Sequence, residues 1–256
     1  MFKIATWNVN SLRVRLDQVL EWLQQHCPDA LALQETKMVD DDFPADMFRD
    51  IGYQAVFSGQ KTYNGVAIVS KSPAAGVVTD FPSLEDPQRR VLYADFGRLA
   101  LLNLYVPNGS EVGSEKYHYK LDWLTHLQSF VDAALDQKRN LVIVGDFNIA
   151  PADADVHDPQ EWEGKVLVSA AERAHFFQLT GKGLVDCYRL FDPDGKSFSW
   201  WDYRAASFRR NRGLRIDHIL AGTDLAARCR SCTIDREPRK AQKPSDHTPV
   251  VAEFDI

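Results

Sequence analysis

The sequence predicts a single domain of the α/β class spanning residues 1–256, and three observations carry that expectation. Short apolar runs bounded by turn residues recur from residue 2 to residue 254, which is strand character. Two longer stretches between them repeat apolar residues at helical spacing. No Gly/Ser-rich linker, charge block or internal repeat divides the chain.

Taken in order, FKIATW at 2–7 is the first strand. Leu12, Leu16, Val19, Leu20 and Leu23 then mark a helix over 11–26, with Ser11 placed to cap it. ALAL at 30–33 is apolar on both faces, so it belongs in a sheet covered on both sides, whereas YQAVF at 53–57 alternates more. GVAIVS, RVLYADF and LALLNLYV continue the strand series through Val106. A second helix is expected over 116–137 from Tyr117, Leu121, Leu124, Leu127, Val131 and Leu135. NLVIVG at 140–145 is again apolar on both faces, and RIDHIL and PVVAEF bring the count to at least nine strands.

Composition narrows the function classes. Apolar residues at 45% and charged residues at 26% are ordinary for a globular chain and exclude disordered, collagen-like and coiled-coil classes. No apolar run approaches the roughly 18 residues of a membrane span, and no signal-peptide pattern opens the chain. The expectation is a soluble, cytoplasmic protein without a membrane partner. Four cysteines are too few for a disulfide framework. Cys229 and Cys232 form a C-x-x-C with no second pair to complete a zinc site, and are read as incidental. A net charge of −6 argues against bulk binding of nucleic acid. The distribution is uneven, however: twelve Lys and Arg face five Asp and Glu between Lys196 and Lys243, a basic flank suited to a phosphate polymer.

Chemistry concentrates where apolar strands end. FKIATWN ends at Asn8, ALALQE at Glu35, LALLNLYVPN passes Tyr105 to Asn108, and NLVIVGDFN ends in Asp146 and Asn148. Strand ends of an α/β sheet converge on one rim, where such folds place their ligand crevice. Singly, each residue has a plain structural reading: Asn8 as a helix cap, Glu35 as a surface acid, Asp146 with Gly145 as a turn. Four such strand ends together point to a site. Facing carboxylates with amide oxygens are hard ligands that suit Mg²⁺ or Mn²⁺ better than zinc. Asp246 and His247 lie on a loop before the last strand, and Asp217 is embedded in the apolar run RIDHIL, where it needs a partner such as His247.

The motifs NVNSLR, LQETK, GVAIVSK, LYVPNG, GDFNIAP, SWWDYR, NRGLRIDHIL and PSDHTPVVAEF stand in an order that resembles the exonuclease III family of abasic-site DNA repair nucleases, within the exonuclease/endonuclease/phosphatase superfamily. The resemblance covers essentially the whole chain. It implies a four-layered α/β sandwich, two packed, mainly antiparallel sheets flanked by helices. It also implies a Mg²⁺-dependent phosphoesterase (Mn²⁺ being an alternative) that acts on double-stranded DNA at abasic sites and blocked 3′ ends, with no obligate protein partner. In the metal set it places Glu35, assisted by Asn8 and Asp246, with Asp146, Asn148 and His247 adjoining. In the catalytic set it places Asp146 as the base that activates water, Asn148 orienting that water or holding the phosphate, His247 held by Asp217, and Tyr105. For substrate it implies Asn108 on the phosphate, Arg89, Arg90, Arg209 and Arg212 along the DNA backbone, and Trp200, Leu214 and Ile216 around a flipped sugar.

Alternatives remain within and beyond the family. One is a 3′-phosphatase and 3′–5′ exonuclease with little abasic endonuclease activity, because Leu214 stands where some relatives carry Trp and the segment 160–170 has no readable feature. Others are superfamily enzymes acting on inositol phosphates or sphingomyelin, and a non-enzymatic nucleic-acid-binding regulator. His218 is read as structural, as are Trp123, Phe130, Phe176 and Phe177, which are expected to be core or sheet-covering groups.

Overall fold

The computed structural model describes residues 1–136 and 140–256. The chain begins with β1 (Phe2–Asn8), α1 (Leu12–His26), β2 (Ala30–Gln34) and α2 (Ala45–Asp50), followed by β3 (Gln54–Ser58) and β4 (Val66–Ser70). Then come β5 (Gly76–Val78), β6 (Val91–Asp95), β7 (Ala100–Tyr105), α3 (Glu115–Asp136) and β8 (Leu141–Asp146). The last third holds α4 (Pro159–Trp162), α5 (Ala170–Gly181), β9 (Leu184–Asp186), β10 (Asp217–Gly222), α6 (Thr223–Ala226), β11 (Cys229–Ile234) and β12 (Val250–Phe254). Residue 137, the expected end of the second helix, lies outside the described residues.

The strands form two six-stranded sheets, one ordered β11-β12-β1-β2-β4-β3 and the other β5-β6-β7-β8-β10-β9. Only β1–β2 and β7–β8 pair in parallel; the other pairings among the described residues are antiparallel. Alternation along each strand sends one set of side chains between the sheets, including Ile4, Ala32, Ile68, Leu101, Val144 and Ile219. The opposite set, including Trp7, Leu31 and Val69, packs on Leu12, Val19, Trp22 and Leu23 of α1. On the other sheet, Leu102, Ile143 and Leu220 pack on Trp123, Leu127 and Val131 of α3 and Phe176 of α5. The result is the four-layered sandwich the resemblance implies. Full burial of one such side chain is worth roughly 1.5–3 kcal/mol, more than any single residue's helix propensity, so the layers rather than local preference hold α1 and α3.

Several local expectations are corrected. Ser11 does not cap α1 with its side chain: it sits at φ 90°, and the N–H groups of Ser11 and Leu12 are taken by the carbonyls of Glu35 and Thr36. Phe176 is buried, but its neighbour Phe177 is 55% exposed, because consecutive helical residues point about 100° apart. The three short or half-exposed strands β5, β9 and β11 add to the nine expected. Cys187 and Cys232 are buried between the sheets with Cys229 packed against them, acting as small apolar groups.

Near β10 lies a buried polar cluster. Arg215, 1% exposed, donates to Asp155 (2.6 Å) and Asp186 (2.8 Å) and lies 3.0 Å from His218 Nδ1. The other ring nitrogen of His218 bonds the Ile149 carbonyl at 2.9 Å. Burial, and then the Arg215 charge, push the His218 pKa down from 6.5 to about 4, so the ring is neutral in the fold. Between those two values the unfolded chain binds the extra proton, so stability present above pH 6.5 is lost as the pH falls toward 4. Exchanging His218→Gln keeps a donor for Ile149 and removes the titration. The urea midpoint of the parent is expected to fall more steeply than that of the variant between pH 7 and pH 4.5; equal slopes would contradict this account.

Candidate active site

Strand direction brings the polar ends together. β1 and β2 run parallel and end side by side, with Asn8 opposite Gln34 and Glu35 next in the chain. In the second sheet, Tyr105, Asp146 and Asp217 stand in one row across β7, β8 and β10. His247 precedes β12, which runs antiparallel to β1 and so starts at the same rim. The sheets meet here directly: the Asn8 side-chain amide donates to Glu35 at 2.8 Å and to Asp146 at 2.9 Å.

The local backbone is shaped for this. Gly145 has φ 139°, and a Cβ there would lie 1.9 Å from the Leu104 carbonyl oxygen on the neighbouring strand, so only glycine fits before Asp146. Glu35 at φ 54° and Asn148 at φ 49° occupy the left-handed region, which costs roughly 1–3 kcal/mol per residue and is tolerated where tertiary contacts enforce it. For Asn148 those contacts are its N–H to Asp146 (2.9 Å) and its amide to the Val106 carbonyl (3.0 Å) and to Asp146 (3.3 Å). Asn108 in turn donates to Asn148 at 3.1 Å.

His247 Nδ1 lies 2.9 Å from Asp217, and its Nε2 lies 3.7 Å from Asp146. Burial opposes the imidazolium, but Asp217, Asp146 and Asp246 outweigh it and raise the His247 pKa to about 10. Burial also raises Asp146, to about 7, with Asp217 adding to the shift and His247 and the Asn8 amide opposing it. Tyr105 is pushed well above the usual phenol value by burial and by Glu35, to which it hydrogen-bonds, so it remains an O–H donor. The Arg90 guanidinium lies 4.7 Å from the centre of its ring.

The donor chemistry fits a hard divalent cation. Glu35, Asp146 and His247 each present a ligand atom, and these atoms lie within 4.8 Å of one another, the only such group among the described residues. Asn8 bridges the two carboxylates through its NH₂ while its oxygen accepts the Asn10 N–H at 2.9 Å. Asp246 stands apart from the cluster: Asn10 and the Trp200 indole bond its two oxygens at 2.9 and 3.0 Å. Burial raises the Asp246 pKa, but His247 and those two donors outweigh it, leaving it lowered.

The remaining expected residues spread outward. Arg89 pairs with Asp80 at 3.2 Å and Arg212 with Glu161 at 2.5 Å, whereas Arg209 is exposed. Trp200 is half-buried, and Leu214 and Ile216 beneath it are 0% and 1% exposed, packed with Ala150, Val156 and Val168. Sequence reading missed Lys37, whose ammonium stands 2.8 Å from Glu35, and Ser199, which donates to Asp217 at 2.6 Å and accepts the N–H groups of Ile216 and Asp217. The LQETK and SWWDYR motifs contain both, but a Lys two residues past an acid and a Ser before tryptophans carry no signal until the fold joins them.

The model of the Endonuclease/Exonuclease/phosphatase family matches residues 5–247, which include Asn8, Glu35, Asp146, Asp217 and His247. The chain is 37% identical to exodeoxyribonuclease III of Haemophilus influenzae, covering 98% of this chain and 99% of that protein. It superposes on the 3′ phosphatase NExo from Neisseria, solved bound to a product DNA hairpin, with a TM-score of 0.98 and 47% identity over the full length of both chains. An AP endonuclease from Archaeoglobus fulgidus matches with a TM-score of 0.97 and 41% identity, again over all of both chains. Sheet order, the rim that gathers these side chains, and full-length likeness agree: the chain belongs to the Endonuclease/Exonuclease/phosphatase family.

Proposed function

We propose that this protein is a Mg²⁺-dependent DNA-repair phosphoesterase that hydrolyses phosphodiesters at abasic sites and phosphoester bonds at DNA 3′ ends, with Mn²⁺ able to substitute. The observation that carries this reading is the juxtaposition, in one cleft, of the Asp217–His247 pair with Asp146 and Glu35. In this reading Asp146 takes the proton of the attacking water as its oxygen bonds to phosphorus and the bond to the leaving sugar oxygen breaks. The His247 imidazolium and the second amide hydrogen of Asn108 donate to the phosphoryl oxygens as their charge grows, joined by the Tyr105 hydroxyl as it turns from Glu35, while Asn148, its two amide hydrogens held by Val106 and Asp146, orients Asp146 and Asn108. Glu35, with Asp146 adjoining, would hold the cation, which supplies Lewis-acid stabilisation of that charge. Asn8 and Lys37 fix Glu35, while Asp246 orients Asn10 and Trp200.

DNA is the substrate favoured by charge. Arg204, Arg209 and Arg210 are exposed on the segment after Trp200, where they would hold backbone phosphates without reading sequence. A second reading, 3′-end processing with little internal incision, is favoured by one observation: Leu214 and Ile216 are fully covered, and Trp162 stands edge-on to Trp200 with ring centres 6.4 Å apart. Leu214 and Ile216 themselves therefore offer no free surface to a flipped sugar. Rates on an abasic duplex and on a soluble inositol polyphosphate test the proposal. Faster turnover of DNA is expected, and preference for the inositol phosphate would overturn it.

A further inference from the structure

Lys120 lies on α3 with no side-chain exposure, facing Glu172 of α5, which is equally buried. Its ammonium uses all three of its donors: on Glu172 Oε1 at 2.5 Å, on the Asn148 carbonyl at 2.7 Å and on the Asn108 carbonyl at 3.1 Å. The last two belong to the residues whose side chains meet at 3.1 Å beside Asp146. Glu172 Oε1 also accepts the N–H of Leu167 at 3.0 Å, and its Oε2 accepts the N–H and hydroxyl of Ser169 at 3.1 and 2.6 Å. The Leu167 carbonyl returns to the Ala150 N–H at 2.8 Å. One buried ion pair thus joins three segments that reach the cleft: 104–109, 145–151 and 160–170.

Stability alone gives little reason for this arrangement. A buried ion pair is costly to desolvate, and apolar side chains of the same volume often serve a core as well or better. What a methionine at 120 cannot do is hold two backbone carbonyls, from the loops that follow β7 and β8, at a fixed separation. Burial lowers the Lys120 pKa, with Glu172 opposing that shift.

We propose that Lys120 is a positioning residue for the phosphoryl reaction: it sets the register of Asn108 and Asn148, and through Glu172 it locks the 160–170 segment to the same register. The inference rests on the functional reading above. Because it acts through Asn148, it predicts an effect on kcat rather than on DNA binding; misplacement by about 1 Å costs on the order of 10²-fold.

The test is the double variant Lys120→Met with Glu172→Gln, which leaves no orphaned buried charge, assayed for removal of a 3′-phosphate. A fall in kcat of about 10–100-fold is expected, with KM within about 3-fold. Leu127→Ala, a core change on the same helix, serves as the stability control and is expected to lower Tm while sparing kcat. In a background lacking both side-chain amides, Asn108→Ala with Asn148→Ala, the double variant should add less than about 3-fold, because its route is already cut. If the double variant does not fold, Lys120→Arg carries the same expectation, since a planar guanidinium cannot direct three donors from one atom. Undiminished kcat in a folded variant, or full multiplication of the losses in the background lacking both amides, would overturn the inference while leaving the function standing. A parent protein without turnover of any DNA phosphoester would overturn both.

Discussion

Exchange of Asp146→Asn is expected to lower kcat on DNA by about 10²–10⁴-fold with little change in KM, the range lost when a positioned general base is removed. Size and shape are kept, so the loss reports charge and proton acceptance. The exchange also changes the hydrogen-bond balance. Asp146 Oδ1 accepts the Asn148 N–H, and Oδ2 accepts the amides of Asn8 and Asn148. An NH₂ group at either position meets a donor. Single-turnover rates on a duplex with one abasic analogue separate the chemical step from product release. A variant within a few-fold of the parent would mean that Asp146 is not the base and that measured activity comes from elsewhere.

The second large effect is on stability. Arg215→Met is expected to cost about 3–5 kcal/mol, because it removes one partner of a buried charge cluster and leaves the others in place. Asp186 loses its 2.8 Å partner, while Asp155 keeps Arg189 but loses the 2.6 Å bond from Arg215. The backbone N–H of residue 215 still bonds the Asp155 carbonyl at 2.9 Å in the variant, so the loss reports the guanidinium's own bonds to Asp155 and Asp186. Urea titration of parent and variant measures the difference. A loss under about 1 kcal/mol would show the cluster to be solvated and unimportant.

Much of the site was legible because the strands that form it are apolar on both faces and end abruptly. In an element such as NLVIVGD, a carboxylate has no lattice of polar neighbours to excuse it. The same logic placed Asp217 against His247, and the two lie 2.9 Å apart. Other features had no local signal. Asn8 meets Asp146 across 138 residues because two sheets abut there, a fact of topology rather than of pattern. Strand β11 is half-exposed and carries Arg, Ser and Thr, so its periodicity is faint. In α5 the buried set includes Glu172, which breaks the apolar stripe, and Lys120 hides in α3 for the same reason. A polar residue buried for its hydrogen bonds reads, in sequence, like one facing water.

The central claim is that Glu35, Asp146 and His247 form a cation-dependent phosphoryl-transfer centre acting on DNA. The most direct test is cleavage of a duplex carrying one abasic analogue and, in parallel, a nick with a 3′-phosphate, each with Mg²⁺ and with EDTA. The account predicts turnover of at least one of these substrates with Mg²⁺ and its loss in EDTA, incision at the abasic analogue marking the endonuclease and 3′-phosphate release alone marking 3′-end processing. Equal rates with and without the chelator, or no turnover of either DNA, would contradict it.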